Sequence, residues 1–224
     1  HVEVFDVAES YPAVRAIGFA RVPSLSVDKL ESTEALLEYI YPQTAGSERL
    51  IGVNIATDKT WAETVARSAS SGQEALTDVF NLTAGEENGE ENLTFLLFTP
   101  VYNSESTPTT EAERLKQLRG VVFVAFDAEQ FFSQIYNQED ERLAYLQIYQ
   151  GDANRPTILY EYGDHPPVED RNTYRQTLDV LGRQLGYEYE FSNRSLISDS
   201  QRFIAQALPI VGLMLSLLLA IIVS

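Results

Sequence analysis

The sequence predicts an α+β protein of two consecutive units dominated by antiparallel sheet, followed by a membrane-spanning helix. Three observations carry this reading: near-continuous apolar runs at LTFLLFTPVY and RGVVFVAFDA, amphipathic segments between such runs, and an uncharged apolar stretch at the C-terminus. The expected bounds are 1–122 for a membrane-distal unit, 123–200 for a membrane-proximal unit and 203–224 for the helix. The 224 residues are 44% hydrophobic, enough for a sizeable core.

From Phe203 to Ser224 the run FIAQALPIVGLMLSLLLAIIVS carries no charge and reaches the roughly 20 residues that a helix needs to cross the hydrocarbon core. Arg202 marks its entry, and Pro209, Gly212 and Ser216 are residue types that spanning helices tolerate. A buried core helix would be shorter and would carry a polar stripe. The chain opens on HVEVFDVAES with neither a start methionine nor a signal sequence, which reads as a processed or trimmed fragment.

A formal charge of -17 argues against a phosphate-backbone partner, so nucleic acid is not an expected ligand. With no cysteine, a disulfide framework and a thiolate zinc site are both impossible.

Along the chain, Ile17, Phe19 and Val22 suggest a short strand closed by Pro23. SVDKLESTEALLEYIYPQ spaces Leu30, Leu36, Leu37 and Ile40 in a mixed helical pattern, so a helix is expected there. ERLIGVNIATD predicts a strand from Leu50 to Ile55, with Thr57 or Asp58 capping a helix that packs through Trp61, Val65 and Ala69 and ends at Gly72. EALTDVFNLT reads as a short strand pair, and AGEENGEEN as a solvated turn. LTFLLFTPVY is a strand, NSESTPTTEAERLKQL a polar loop and RGVVFVAFDA a second strand. Asp127 caps a helix with Phe131, Phe132 and Ile135 on one side. LAYLQIYQ and PTILYEYG form a hairpin, PVEDRNTYRQTLDVLGRQLG a helix and YEYEFSNRS a last strand.

Catalytic constellations are scarce. His1 is terminal and His165 sits in the turn GDHPPV, neither with an evident partner in sequence. The serines form no GxSxG elbow or SxxK pair, and no glycine-rich phosphate loop occurs. The acidic run EENGEEN lacks the alternating oxygen ligands of a calcium loop and reads as a solvated surface. Asn81, Asn92 and Asn193 match the glycosylation sequon, which matters only in a eukaryotic secretory setting. No catalytic residue, metal ligand or cofactor is therefore expected in this segment, and an enzyme is the weaker reading.

The chain resembles the CHASE family of extracellular sensor domains at LIGVNIATDKTWAETVARSASSGQEALTDVF, FLLFTPVY and LRGVVFVAFDAEQFF. Gly52 and Asn54, Arg67 and Gly72, Leu76 and Thr77, Pro100 with Val101 and Tyr102, then Gly120, Phe126 and Asp127 follow the family's order and spacing. The resemblance implies a long N-terminal stalk helix, absent from this chain, then two PAS-like units, and a transmembrane helix leading to a cytoplasmic output domain such as a histidine kinase or diguanylate cyclase. It further implies a homodimer in the bacterial inner membrane with its sensor in the periplasm, and an unknown small-molecule ligand. In the family's plant hormone receptors an aspartate that recognises adenine stands where this chain has Asn54, and a small hydroxyl residue where it has Phe98. Cytokinin is accordingly not the expected ligand. The expected ligand-binding residues are Asn54 as polar anchor, with Trp61, Thr83, Leu96, Phe98 and Phe123 around it. The structural alternative makes Leu96, Phe98 and Phe123 plain core and Asn54 the holder of a local backbone bond. The functional alternative is a protein-interaction or dimerisation module without a small-molecule ligand.

Overall fold

The structure is a computed structural model that describes residues 11–23, 34–81, 92–136, 143–152 and 155–192. Strand β1 (Val14–Arg21) forms where the alternation at Ile17 and Phe19 predicts it and stops ahead of Pro23, which has no N–H for a ladder. β2 (Leu36–Tyr41) pairs antiparallel with β1. This overturns the helix expected over Leu36, Leu37 and Ile40; Leu30 lies outside the described residues. The register slips between Phe19 and Ala20, so that Leu37 lies opposite Ala20 and Ile40 opposite Gly18. Such a bulge puts residues three apart on one face of a strand and so copies helical spacing.

The strand expected from Leu50 to Ile55 is also absent. α1 (Ala45–Glu48) is started by the Thr44 side chain, which accepts from the Ser47 N–H. Turn bonds from Leu50 N–H to Ser47 O and from Ile51 N–H to Glu48 O follow. Gly52, at φ +83°, then bends the chain back so that its N–H reaches Leu37 O at 2.7 Å. The turn leaves Leu50, Ile51 and Val53 43–44% exposed. Asn54 caps a single 3-10 turn (Ile55–Thr57), and Asp58 caps α2 (Lys59–Ser71), accepting from the Trp61 N–H at 3.1 Å. Gly72 ends α2 in the left-handed conformation, and Val65 and Ala69 are fully buried, as their spacing predicts.

Two short strands, β3 (Ala75–Leu76) and β4 (Phe80–Asn81), both pair with β5 (Leu93–Tyr102). The polar loop expected after Tyr102 contains a helix, α3 (Glu111–Gln117). Thr110 and Glu113 start it by satisfying each other's backbone N–H. β6 (Leu118–Asp127) follows, and Asp127 caps α4 (Ala128–Ile135) through the Gln130 N–H at 2.9 Å. The sheet order is β2-β1-β6-β5-β3, with β4 also on β5, a PAS-like arrangement. Ala20, Leu37, Leu96, Phe98, Val121, Phe123 and Ala125 bury one core with Val65 and Ala69 of α2 and Leu115 of α3. Phe131 and Phe132 of α4 pack on Phe95, while Ile135 is largely exposed.

A second sheet has the order β8-β7-β10-β9, from β7 (Leu143–Gln150), β8 (Thr157–Gly163), β9 (Arg171–Val180) and β10 (Arg183–Ser192). β7 and β8 are neighbours, as the expected hairpin requires. The helix expected over PVEDRNTYRQTLDVLGRQLG is instead a 3-10 turn (Val168–Asp170), β9 and the start of β10. Leu181 and Gly182 link the two strands with φ of +52° and +82°, the positive pair that matches strand twist in a two-residue hairpin. Tyr174, Leu178 and Leu181, whose spacing imitates a helical stripe, are all exposed.

One compact unit takes in His1–Asn137, Ile148–Tyr160 and Thr177–Gly186, and the other Gln138–Gln147, Glu161–Gln176 and Tyr187–Ser224. Among the described residues no helix is long and apolar enough to cross a membrane, and the run Phe203–Ser224 lies outside them.

Candidate functional site

One row of residues crosses the first sheet: Ile40 opposite Gly18, Gly18 opposite Phe123, Phe123 opposite Phe98, and Phe98 opposite Ala75. Directly paired residues share a face, so the row lies on the side covered by α2. Gly18 is what makes room, since a Cβ there would run into the Phe123 ring and the Tyr39 carbonyl. The Phe123 and Phe98 rings meet at 6.0 Å and 57°. Phe98 is fully buried, and Leu96 and Phe123 nearly so. The structure thus gathers Leu96, Phe98 and Phe123 into one apolar cluster. Trp61 joins them from α2, half-buried, with its ring 5.2 Å from Phe80. Thr83 lies outside the described residues.

Asn54 stands where β2, the exposed turn and α2 converge. Its Oδ1 accepts from the Ala35 N–H at 2.8 Å and from the Ala56 N–H at 3.0 Å. Two backbone donors on one atom fix that atom as the oxygen, so the orientation of the amide is decided by chemistry. Among the described residues the Nδ2 group makes no hydrogen bond. Asn54 therefore holds the fold with its acceptor oxygen.

The other motif residues are architectural. The Thr77 hydroxyl accepts from the Leu96 N–H at 2.9 Å, and the Leu76 carbonyl accepts from Arg67 Nη2 at 2.7 Å and Arg183 Nε at 3.2 Å. Burial, then the nearby Arg183, pull the Arg67 guanidinium below its ordinary pKa, while Asp78, Asp179 and Glu63 oppose the shift. Gly120 admits the Phe19 ring and the Ala20 carbonyl. Asp127, besides capping α4, accepts from Arg15 Nε at 3.1 Å.

The second sheet holds a relationship that sequence reasoning missed. His165 does have a partner: its Nδ1 lies 2.8 Å from Oε2 of the buried Glu190. The two are 25 positions apart, so no local spacing could announce the pair.

A PAS-like antiparallel sheet with a helix over one apolar face defines a sensor-type α+β domain. Residues 2–160 match the model of the CHASE domain family, and the chain belongs to that family of sensor domains, which are not catalytic. No curated protein matches the sequence. Among solved structures, an extracellular ligand binding receptor from Desulfohalobium retbaense DSM5692 is similar in fold. Its TM-score is 0.50 at 11% identity, covering 80% of this chain and 30% of that one. A domain of a sensory box/GGDEF family protein from Vibrio parahaemolyticus matches with a TM-score of 0.37 at 12% identity, covering 85% of this chain and 76% of that one. The chain thus spans less than a third of the receptor it resembles.

Proposed function

We propose that this CHASE domain is the extracytoplasmic part of a membrane-bound bacterial receptor, in which the first unit binds a small molecule and a transmembrane helix at Phe203–Ser224 carries the signal to a cytoplasmic histidine kinase or diguanylate cyclase. The observation that carries the reading is Asn54: a side chain fixed by two backbone bonds whose Nδ2 group makes no hydrogen bond among the described residues. Trp61, Leu96, Phe98 and Phe123, which share one apolar cluster, are the apolar residues of this reading, and Thr83 is its second polar residue in the sequence. Ligand binding shifts a homodimer in the inner membrane between two arrangements, with the sensor in the periplasm. The name of the extracellular ligand binding receptor agrees with this reading.

A thermal-shift screen of the chain against metabolite libraries tests it. A ligand at 100 times its Kd stabilises by about 2.7 kcal/mol. Stabilisation that disappears in Asn54→Ala supports the site, and a library without a single stabilising compound counts against direct sensing. A second reading, a protein-interaction or dimerisation module, is favoured by the adjacent exposed residues Leu50, Ile51 and Val53. It predicts that Ile51→Asp weakens self-association in sedimentation measurements while leaving the melting temperature unchanged.

A further inference from the structure

In the second sheet Thr173 bonds to Glu190 and Arg175 to Glu188, so β9 and β10 place these polar residues on one face of their hairpin. Side chains alternate along a strand, which puts Tyr174, Tyr189 and Phe191 on the other face. Tyr174 and Tyr189 stack with ring centroids 5.5 Å apart and planes 13° from parallel, and Phe191 meets them edge-on at 6.0 and 5.6 Å. Such a cluster is ordinary in a core, yet here Tyr174 is 50% exposed and its two neighbours are only half-buried. β9 is an edge strand, so no further strand among the described residues shields the cluster on that side.

We propose that this aromatic cluster, together with Val168, docks on the lipid–water interface of the membrane and seats this end of the hairpin against the bilayer. The docking rests on the reading of Phe203–Ser224 as a transmembrane helix. Only residues 193–202 separate Ser192, the end of β10, from that run, and a fully extended chain of this length reaches no farther than about 40 Å. Phe191 directly precedes that exit. The Ser192 hydroxyl donates to Asp170 at 2.6 Å, so the 3-10 turn Val168–Asp170 lies at the same end. Val168 is 79% exposed, the highest value among the large apolar residues described. Val168, Tyr174, Tyr189 and Phe191 all belong to one compact unit.

The chemistry of the cluster suits a bilayer interface. Tyrosine joins an apolar ring to a polar hydroxyl, and such side chains gather at the level of the lipid headgroups. Phe191 and Val168 carry no polar group and enter the acyl boundary beside them. The arginines of β9 are engaged elsewhere: Arg171 donates to the Pro166 carbonyl at 3.1 and 3.0 Å, and Arg175 to Glu188 on the opposite face at 2.7 Å. Glu169 and Asp170 follow Val168, and the chain as a whole carries -17, so attraction to anionic lipid is not the driving force. Three rings and a valine make a weak contact by themselves, as a single apolar anchor does. The span makes that contact intramolecular, at an effective concentration on the order of millimolar for so short a link. Docked in this way, the end of the sheet and the entry of the span move as one.

Depth measurements on the full chain in vesicles test the docking. The chain has no cysteine, so Val168→Cys provides a single attachment point for an environment-sensitive fluorophore. In phosphatidylcholine vesicles its emission should fall by about half when lipids with a nitroxide high on the acyl chain are included, an interfacial contact lying about 5–10 Å deep. Tyr174→Thr, which keeps a strand-forming residue at this exposed position, should remove most of that quenching and so exclude insertion driven by the dye. Should that variant not fold, the depth of the probe in the labelled parent decides alone. Extraction with alkaline carbonate separates a failed span from failed docking: a chain that washes off refutes the span, and the docking with it. A chain that resists extraction while its probe is not quenched, or is quenched only after phosphatidylglycerol is added, overturns the docking and leaves the span. Quenching that survives in a folded Tyr174→Thr overturns it too, as does self-quenching between labelled copies in place of lipid quenching, which would assign the patch to a second copy of the chain.

Discussion

The Tyr102 hydroxyl donates to the Ala69 carbonyl at 2.9 Å, tying the end of β5 to the last turn of α2. The helix terminus leaves that carbonyl without an intrahelical partner, and Tyr102 satisfies it from across the fold. Arg114 Nε does the same for the Ser70 carbonyl at 2.6 Å. The tyrosine of the PVY motif thereby fixes the helix that covers the core. Tyr102→Phe should cost about 1 kcal/mol in denaturant unfolding, with the slope unchanged. Burial raises the Tyr102 pKa, and Arg114 opposes it in part. The unfolded chain therefore ionises first, so this contribution is complete below about pH 10 and is lost as pH climbs beyond it. Tyr102→Phe should accordingly show a shallower alkaline loss of stability.

Gly18 and Phe123 make a second prediction, because the ring occupies the volume that a side chain at Gly18 would need. Gly18→Ala should destabilise by roughly 1–3 kcal/mol through overpacking. Combined with Phe123→Leu, the loss should be smaller than the sum of the single losses, since the smaller side chain vacates the contested space. Strict additivity in equilibrium unfolding would mean that the ring does not lie over the glycine.

What was legible in the sequence was local. α2 shows its cap at Asp58, its face at Val65 and Ala69 and its stop at Gly72 within one stretch of chain, and β5 and β6 are near-continuous apolar runs. What escaped depended on partners distant in sequence. β2 imitates a helix because its bulge is set by β1, and the apolar turn at Leu50–Val53 exists because Gly52 bonds back to Leu37. The candidate residues Leu96, Phe98 and Phe123 share a face by strand parity, which sequence can supply. The commitment of the Asn54 oxygen to Ala35 and Ala56 cannot be read that way.

The hairpin that replaces the helix expected over PVEDRNTYRQTLDVLGRQLG turns on Leu181, a leucine at φ +52°. The left-handed region costs an L-residue with a bulky side chain about 1–2 kcal/mol, and asparagine tolerates it better. Leu181 is well exposed and serves its neighbours through its carbonyl, which accepts from the Leu76 N–H at 3.2 Å. Leu181→Asn should therefore stabilise by about 1 kcal/mol and raise the melting temperature by roughly 2–4 °C. Gly182→Ala should do the reverse, because its φ is +82° and a Cβ would come within 3.0 Å of Arg67 Nε.

Asn54 separates holding the fold from meeting a ligand, because its two functional atoms have different duties. An aspartate keeps an oxygen for the Ala35 and Ala56 N–H groups and still caps the 3-10 turn, but it has no N–H to offer. Asn54→Asp should thus unfold within about 0.5 kcal/mol of the parent, whereas Asn54→Ala should lose about 1 kcal/mol with the cap. The ligand response should divide differently, because the parent presents donors and so selects molecules that bring an acceptor, such as a carbonyl, a carboxylate or a ring nitrogen. Asn54→Asp should abolish stabilisation by such molecules, and both variants should lose it despite their unequal stabilities. If the aspartate variant is stabilised as strongly as the parent, the Nδ2 group has no part in recognition and Asn54 serves the backbone alone.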